Sequence, residues 1–405
     1  MPVESPLHSR TAPLCTSYRW KEWAGRYAVC SYQTSAESEY LALRHACGLL
    51  DVSPLFKYEI RGPDAAALLS WVWTRDVTRL AEGSVAYGCW CDERGKVVDD
   101  GTVCRLGPDR YRMTAAEPTF RWLARQARGF DAEVTDESAS VAALALQGPS
   151  SRAVLTELCG EETAGLGFFR AAHARSGSLE LEVTRTGYTG DLGYELWISA
   201  DRAVELWDAV VAAGRDHGLV PAGLDALDIT RIEAGFLLAG VDYVGARDAL
   251  IPSLTSSPFE LDLGWAVHLE RGPFVGRDAL VREAREGSPE TLVGLVADWE
   301  AIEEVHERYG LPPSLPTQAW REPVPVYADG RQVGRATSGT WSPTLKQNLA
   351  LATVDTARAA VGTRLELEAT VAFERHTVPV TVVERPFFDP PRKKGRAGAD
   401  EGEGS

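Results

Sequence analysis

The sequence predicts a mixed fold: helices alternate with antiparallel hairpins, and a small β domain follows. Three observations carry this. Within residues 201–217, Ala203, Leu206, Trp207, Val210 and Val211 fall at i, i+3, i+4, i+7 and i+8, the spacing of one helical face. Asp201 stands where a cap belongs, and Gly218 where the helix should end. Residues 184–198, T-R-T-G-Y-T-G-D-L-G-Y-E-L-W-I, read as a strand, a glycine turn and a second strand. Finally, residues 286–388 are strand-rich and broken by turn residues at close intervals, as a small β domain requires.

Taken in order, residues 1–17 read as a loose arm. The aromatic-rich segment 19–32, with Trp20, Trp23, Tyr27 and Tyr32, should pack on something. Residues 36–49 read as a helix with Tyr40, Leu43 and Leu50 on or near one face, and 57–61 as a strand. Gly62-Pro63-Asp64 then starts a helix over 65–73, with proline near its first turn. Residues 85–105 form a hairpin turning at Asp92-Glu93-Arg94-Gly95. A helix over 120–128 and a short strand over 132–134 come next. The apolar strand 141–147 runs into Gln147-Gly148-Pro149 and a helix from Ser150. Residues 282–290 read as a linker. The tail 389–405, rich in Pro, Lys, Arg, Gly and Glu, reads as disordered.

The composition narrows the class. A chain of 405 residues, 44% hydrophobic and 25% charged, is long enough for two or three domains of an ordinary globular protein. A formal charge of −16 argues against nucleic acid and against an anionic membrane surface as main partners. No apolar run reaches membrane-spanning length, and the first ten residues lack the apolar core of a signal peptide. A cytoplasmic protein is the expectation. The 7 cysteines are scattered and odd in number, so no disulfide framework is expected. Cys89 and Cys91 have no second pair at zinc-finger spacing, and no H-E-x-x-H occurs, so a metal site is not expected. The phosphate-binding glycine loops are also missing.

Two places carry carboxylates in unusual company. Glu195 shares a strand face with Trp197 just after the glycine turn, while Tyr194, Leu196 and Ile198 take the other face. It reads either as a solvated hairpin residue or as a binding group. Asp99 and Asp100 stand together in an apolar strand and must face opposite sides, so at most one serves a given pocket. Burying an unpaired carboxylate is costly. The alternative is an edge strand with both acids wet.

The segment R-T-G-Y-T-G-D-L-G-Y-E at 185–195 resembles the signature of the glycine-cleavage T-protein family, the folate-dependent aminomethyltransferases and their demethylase relatives. Other segments resemble it in order: L-L-D-V-S at 49–53, G-K-V-V-D-D-G-T-V at 95–103, Q-G-P at 147–149, G-L-D-A-L-D-I-T-R-I-E-A-G at 223–235, F-V-G-R-D-A-L at 274–280 and T-S-G-T-W-S-P-T-L at 337–345. The resemblance covers nearly the whole chain. It implies an α+β, three-domain cloverleaf with tetrahydrofolate, or its 5-methyl or 5,10-methylene form, in a central channel. Residues 1–285 would be the folate-binding region, in two interleaved subdomains (about 1–60 with 143–285, and 61–142). Residues 286–388 would be a C-terminal β-barrel.

The same resemblance implies roles. Glu195 and Tyr188 would line the folate pocket, where a carboxylate can accept both the amino group and the ring N–H of a pterin. Asp100, second of its pair, would be catalytic. Tyr87 would join the pocket, and Phe169 would lie near the pterin. Arg231 would meet an acid of the site or the anionic end of the ligand, its alternative being a surface ion pair with Asp228 at i−3. Ala239 stands where the family has a tyrosine facing the substrate. Three departures concern the donor: Pro54-Leu55 replaces the family's His-Met, Ser84 replaces a lysine, and Ala239 replaces that tyrosine. An asparagine expected near Thr114 is also missing.

These departures favour a tetrahydrofolate-dependent methyl or one-carbon transferase acting on a free small molecule, in either direction. The alternative is the aminomethyltransferase of glycine cleavage, whose partner is a lipoyl carrier protein. A third reading, a non-enzymatic folate-binding iron–sulfur maintenance protein, would need K-G-C-Y-x-G-Q, which is absent.

Overall fold

The computed structural model describes residues 1–313 and 315–395. The chain divides into two compact units. One comprises Met1–Trp90, Asp99–Leu227 and Asp389–Ser405, and the other Cys91–Val98 and Asp228–Phe388.

The first unit is built on a six-stranded sheet ordered Ala171–Ser176, Leu179–Thr184, Gly193–Ser199, Val141–Gln147, Cys47–Asp51, Leu219–Pro221. Neighbours are antiparallel except the last, which runs parallel to Cys47–Asp51. The central strand V-A-A-L-A-L-Q has strands on both sides and is buried from Ala142 onward, which is why it reads as one apolar run. Helices Ser151–Cys159 and Ala203–Ala213 contribute Val154, Leu155, Leu206, Trp207 and Val210 to a core shared with Leu144, Leu146, Tyr194 and Leu196. A five-stranded sheet follows the order Ser84–Cys91, Val97–Gly107, Arg110–Ala115, Phe56–Arg61, Glu133–Asp136.

The second unit contains a closed six-stranded barrel: Glu290–Ala297, Gln347–Asp355, Arg331–Ser342, Val324–Ala328, Arg364–Val371 and Glu374–Val383. Its interior is filled by Val293, Leu295, Val326, Ala336, Ala352, Val354, Leu365, Val380 and Val382. Closure leaves no free strand edge. Among the described residues, no helix is long and apolar enough to cross a membrane.

Several expectations need correction. Residues 1–17 are not a loose arm: helix His8–Leu14 is held by the fully buried Leu7, by Ser5 donating to Asp51, and by a two-bond Arg10–Asp208 pair at 2.7 and 2.8 Å. The helix expected over 36–49 stops at His45, and Cys47–Asp51 is a strand. A short apolar run does not distinguish a buried helix from a buried strand, and here two neighbouring strands recruit it. Residues 282–290 are no linker. Helix Arg277–Glu286 covers most of them, anchored by one buried leucine, Leu280. Asp201 caps nothing: it sits in the 3-10 turn Ala200–Arg202 and accepts the Ser199 hydroxyl, and the helix starts at Ala203.

The expected boundary at 285 does not coincide with the division into units, which falls at Leu227/Asp228. Residues just beyond that point bond with barrel residues, as Asp242 does with Thr337 and Ser338. The tail is ordered at its start, since Arg392 and Lys393 are held by hydrogen bonds. The rest of the expected disordered tail, 396–405, lies outside the described residues.

Candidate functional site

The glycine turn is built around one amide. The Gln147 Nε2 donates to the carbonyls of Thr186 and Tyr194, both at 3.2 Å, and its Oε1 accepts the Thr189 hydroxyl at 2.9 Å. A Cβ on Gly187 would lie 2.0 Å from Gln147 Oε1, and one on Gly193 would lie 2.3 Å away. These two glycines make room for Gln147, a reason internal to the protein. Gly190, at φ +74°, is the one that needs left-handed backbone.

Opposite this turn, Thr184 pairs with Glu195 across the two strands. A file of donors converges on the carboxylate. The Trp197 Nε1 donates to the Thr184 hydroxyl at 3.1 Å, and the Thr184 and Thr186 hydroxyls are 2.7 Å apart. Thr186 donates to Glu195 Oε2 at 2.5 Å, and Thr184 reaches the same oxygen at 3.4 Å. Among the described residues nothing donates to Oε1. Burial pushes the Glu195 pKa up, and the two hydroxyl bonds oppose that push. The result is a half-buried carboxylate held in orientation, with one oxygen available to a ligand's N–H groups.

The acid pair divides as its strand positions require. Asp99 is fully buried: Oδ1 accepts the amide of Asp100 at 2.8 Å, and Oδ2 accepts those of Ala116 and Glu117 at 3.1 and 2.9 Å. Burial and the neighbouring Asp100 charge raise its pKa well above the ordinary carboxylate range, against those backbone bonds. Asp100 is half-buried on the other side and accepts the Tyr87 phenol at 2.7 Å. Burial first, then Asp100, raises the Tyr87 pKa far above its ordinary value, so Tyr87 is a hydrogen-bond donor at neutral pH.

Phe169 connects these two places through backbone. It has φ +57°, its amide donates to Arg185 at 3.1 Å, and its carbonyl accepts from Val85 at 2.9 Å. Its ring meets Phe168 edge-on at 4.7 Å. The bond joins the strand carrying Tyr87 to the loop carrying the half-buried Tyr188. Ser84 accepts a bond from the Arg170 guanidinium, so a hydroxyl and an arginine occupy the place where a lysine was expected.

Arg231 and Ala239 belong to the second unit. Arg231 is fully buried. Its Nε donates to Asp228 at 2.7 Å and its Nη1 to Asp242 at 2.5 Å. The pairing with Asp228 is therefore a buried one, not the surface pair that spacing alone suggests. Asp228 also accepts Arg321 at 2.7 Å; burial would raise its pKa, but the two arginines outweigh this and hold it low. Ala239 is half-buried and forms a backbone bridge with Tyr243, a buried tyrosine.

Sequence reasoning missed Thr184, Thr186 and Lys57. The threonines stood within the quoted motif, and the pairing of Thr184 with Glu195 was their only signal. Lys57 is fully buried and donates to the carbonyls of Ser53 and Leu55, both at 2.7 Å. A cleft of about 830 Å³ opens beside Trp197, walled by Arg110, Arg112, Glu137, His173 and Glu182. None of the expected site residues lines it. Its charges largely pair with one another, as Arg112 does with Glu182.

Comparisons with known proteins identify the family. Residues 7–271 match the GCVT N-terminal domain, and 308–389 match the glycine cleavage T-protein C-terminal barrel domain. The chain belongs to the glycine cleavage T-protein family. It is 37% identical to an aminomethyltransferase of Symbiobacterium thermophilum over 89% of this chain and 91% of that one. It is 36% identical to a trimethylamine-oxide aldolase of Ruegeria pomeroyi over 98% of this chain, which spans only 48% of that relative. The crystal structure of the aminomethyltransferase T of Bartonella henselae superposes with a TM-score of 0.80 at 24% identity, covering 96% of this chain and 99% of that one. That likeness shows the fold: an α+β T-protein fold with a C-terminal barrel. As a T-protein family member the chain is a tetrahydrofolate-dependent one-carbon transferase.

Proposed function

We propose that the chain moves a one-carbon unit from an aminomethyl donor to tetrahydrofolate, as an aminomethyltransferase. The single observation that carries this is Glu195, a half-buried carboxylate whose Oε2 accepts two threonine hydroxyls, while nothing among the described residues donates to its Oε1. A pterin presents an amino group and a ring N–H together, and such a carboxylate fits both. Tetrahydrofolate, when bound, supplies the nucleophilic ring nitrogen. Glu195 would hold the pterin with Tyr188 and Phe169 beside it. Asp100, with Tyr87 donating to it, would accept or position a proton near the reacting nitrogen. The numerous aminomethyltransferase relatives, aligned over almost their full length, support this reading.

A second reading has its own support. The match to the trimethylamine-oxide aldolase extends over 98% of this chain. Pro54, Ser84 and Ala239 also stand where groups around the carrier's arm are expected. Both favour a free methylated amine as donor. One assay separates the readings: incubation with tetrahydrofolate and either the aminomethylated lipoyl carrier or small methylated amines, followed by measurement of both methylene-tetrahydrofolate, the product from an aminomethyl group, and 5-methyl-tetrahydrofolate, the product of a methyl group moved without an oxidant. Methylene-tetrahydrofolate and ammonia from the carrier are the expected outcome. Turnover of a small amine with none from the carrier would overturn it in favour of the second reading.

A further inference from the structure

The motif 185–195 contains two charged residues that the folate reading does not use, Arg185 and Asp191. Both are buried, Arg185 at 1% exposure and Asp191 at 7%. Both are bound by the chain's own C-terminal segment, residues 389–395, which belongs to the same compact unit as the loop. The Arg185 Nη2 donates to the carbonyls of Arg392, Lys393 and Gly395 at 3.2, 3.2 and 2.6 Å, while its Nη1 donates to Leu166 at 2.9 Å. In return, Arg392 grips Asp191 with two parallel bonds, Nε to Oδ1 at 2.7 Å and Nη2 to Oδ2 at 2.8 Å. The loop's cation thus meets the segment's carbonyls, and the loop's anion meets the segment's guanidinium.

The segment is itself braced. Lys393 donates to Asp389 at 2.9 Å and Lys394 to the same carboxylate at 3.2 Å. On the loop side, the fully buried Arg44 side chain donates to the Thr189 carbonyl at 2.9 Å and stands 3.7 Å from Asp191. Asp191 therefore has two cations, one from within the unit's core and one from the chain's end. The Arg185–Asp191 interval encloses Tyr188, and its far end leads in two residues to Gly193 and in four to Glu195.

We propose that residues 389–395 act as a strap that positions the folate loop, with Arg392 as the positioning residue. This rests on the reading that Glu195 and Tyr188 bind the pterin. The physical reason is that a glycine-rich turn is conformationally permissive. It needs outside contacts to keep Tyr188 and Glu195 preorganised for a ligand, and preorganisation is recovered as affinity. A bidentate arginine–carboxylate pair fixes orientation as well as distance. Arg392 touches no reacting group, so its loss should act on binding and not on the chemical step.

The test uses the full chain and its Arg392→Ala and Arg392→Lys variants. Three readouts are compared: tetrahydrofolate affinity, kcat against KM for tetrahydrofolate, and hydrogen exchange of amides 186–192 without ligand. The expected result for Arg392→Ala is about tenfold weaker folate binding and a KM raised to match, with kcat at saturation little changed. Exchange should quicken in the loop, while the barrel strands Arg331–Ser342 and Gln347–Asp355 keep their protection. Arg392→Lys keeps the charge but not the fork and should recover part of the affinity. Unchanged loop exchange, unchanged folate affinity, or a quickening spread over the whole chain would overturn the strap. Failure of the folate reading is distinct: the unaltered chain would then not bind tetrahydrofolate.

Discussion

Asp99 and Asp100 adjoin in sequence and do different work. Asp99 takes three backbone amides, and Asp100 takes the Tyr87 phenol. Asp99→Asn replaces one acceptor oxygen with an NH2 that cannot accept from the buried backbone amides. It should cost about 1–3 kcal/mol of stability, read by denaturant unfolding, and leave turnover per folded molecule nearly intact. Asp100→Asn should do the opposite: folate binding kept, and turnover reduced about 10²–10⁴-fold in single-turnover assays. Equal kinetic losses from the two would refute this division. Glu195 makes a second case. Its folded pKa is raised by burial, so its contribution to stability is present below the unfolded pKa and is lost as pH rises through the folded one. Its ionised form is therefore a cost to stability in the folded chain. Glu195→Ala should weaken folate binding by about two to four decades without matching loss of stability. In the unaltered chain, folate affinity should fall on acidification, with a midpoint above the ordinary glutamate range. Calorimetry across that range checks it; a flat profile would sink the role of the charge.

At the scale of elements, turns decide more than strands. The turn between strands Cys47–Asp51 and Phe56–Arg61 is closed by Lys57, whose amine binds two of its carbonyls. Burial lowers the Lys57 pKa from 10.5 to about 7; Arg26 and Arg112 add to this, and Asp51 and Asp136 oppose it. The unfolded lysine holds its proton up to its ordinary pKa, and the folded one releases it earlier. The unfolded state thus binds more protons between about 7 and 10.5, and stability should rise with pH across that window. Each pH step of one within the window adds at most about 1.4 kcal/mol, so the whole rise should be on the order of a few kcal/mol. Urea midpoints measured against pH should show this slope in the unaltered chain and lose it in Lys57→Met. The same slope in both would place the titration elsewhere. The glycine turn is the other case: the amide of one side chain, Gln147, sets the space for two of its three glycines. The motif announced a glycine turn, but the partner that demands it lies 40 residues away at Gly187 and 46 at Gly193, counted from Gln147.

For the whole molecule, motif order carried the family and, with it, the fold. Segments scattered from 49 to 345 resembled one family in sequence order, and the domain matches span 7–271 and 308–389. Within a net charge of −16, the second unit's buried Asp228, Arg231 and Asp242 form one alternating network with the partly exposed Arg321. Removing one member would leave a buried charge uncompensated, whereas keeping all four satisfies each. Arg231 stood out in its motif, and its spacing to Asp228 was legible there. Its second acid, Asp242, was not, because that residue lies beyond the motif in a segment that departs from the family pattern.

The sequence by itself determined the helix–hairpin alternation, the alternation of Glu195 and Trp197 against Tyr194, Leu196 and Ile198, and the opposite facing of Asp99 and Asp100. These follow from periods of 3.6 and 2 residues, which are local geometry. It also determined the family, because its motifs are long and ordered. Tertiary structure decided the rest. It made a strand of Cys47–Asp51, a helix of Arg277–Glu286 and an anchored helix of His8–Leu14. It chose Thr184 and Thr186 as the holders of Glu195, and it tied Arg392 to Asp191 across 201 residues. The physical reason is common to all of these. A local pattern states which face is apolar or where the chain can turn. Only contacts between distant residues state what that face meets and which donor satisfies a given charge.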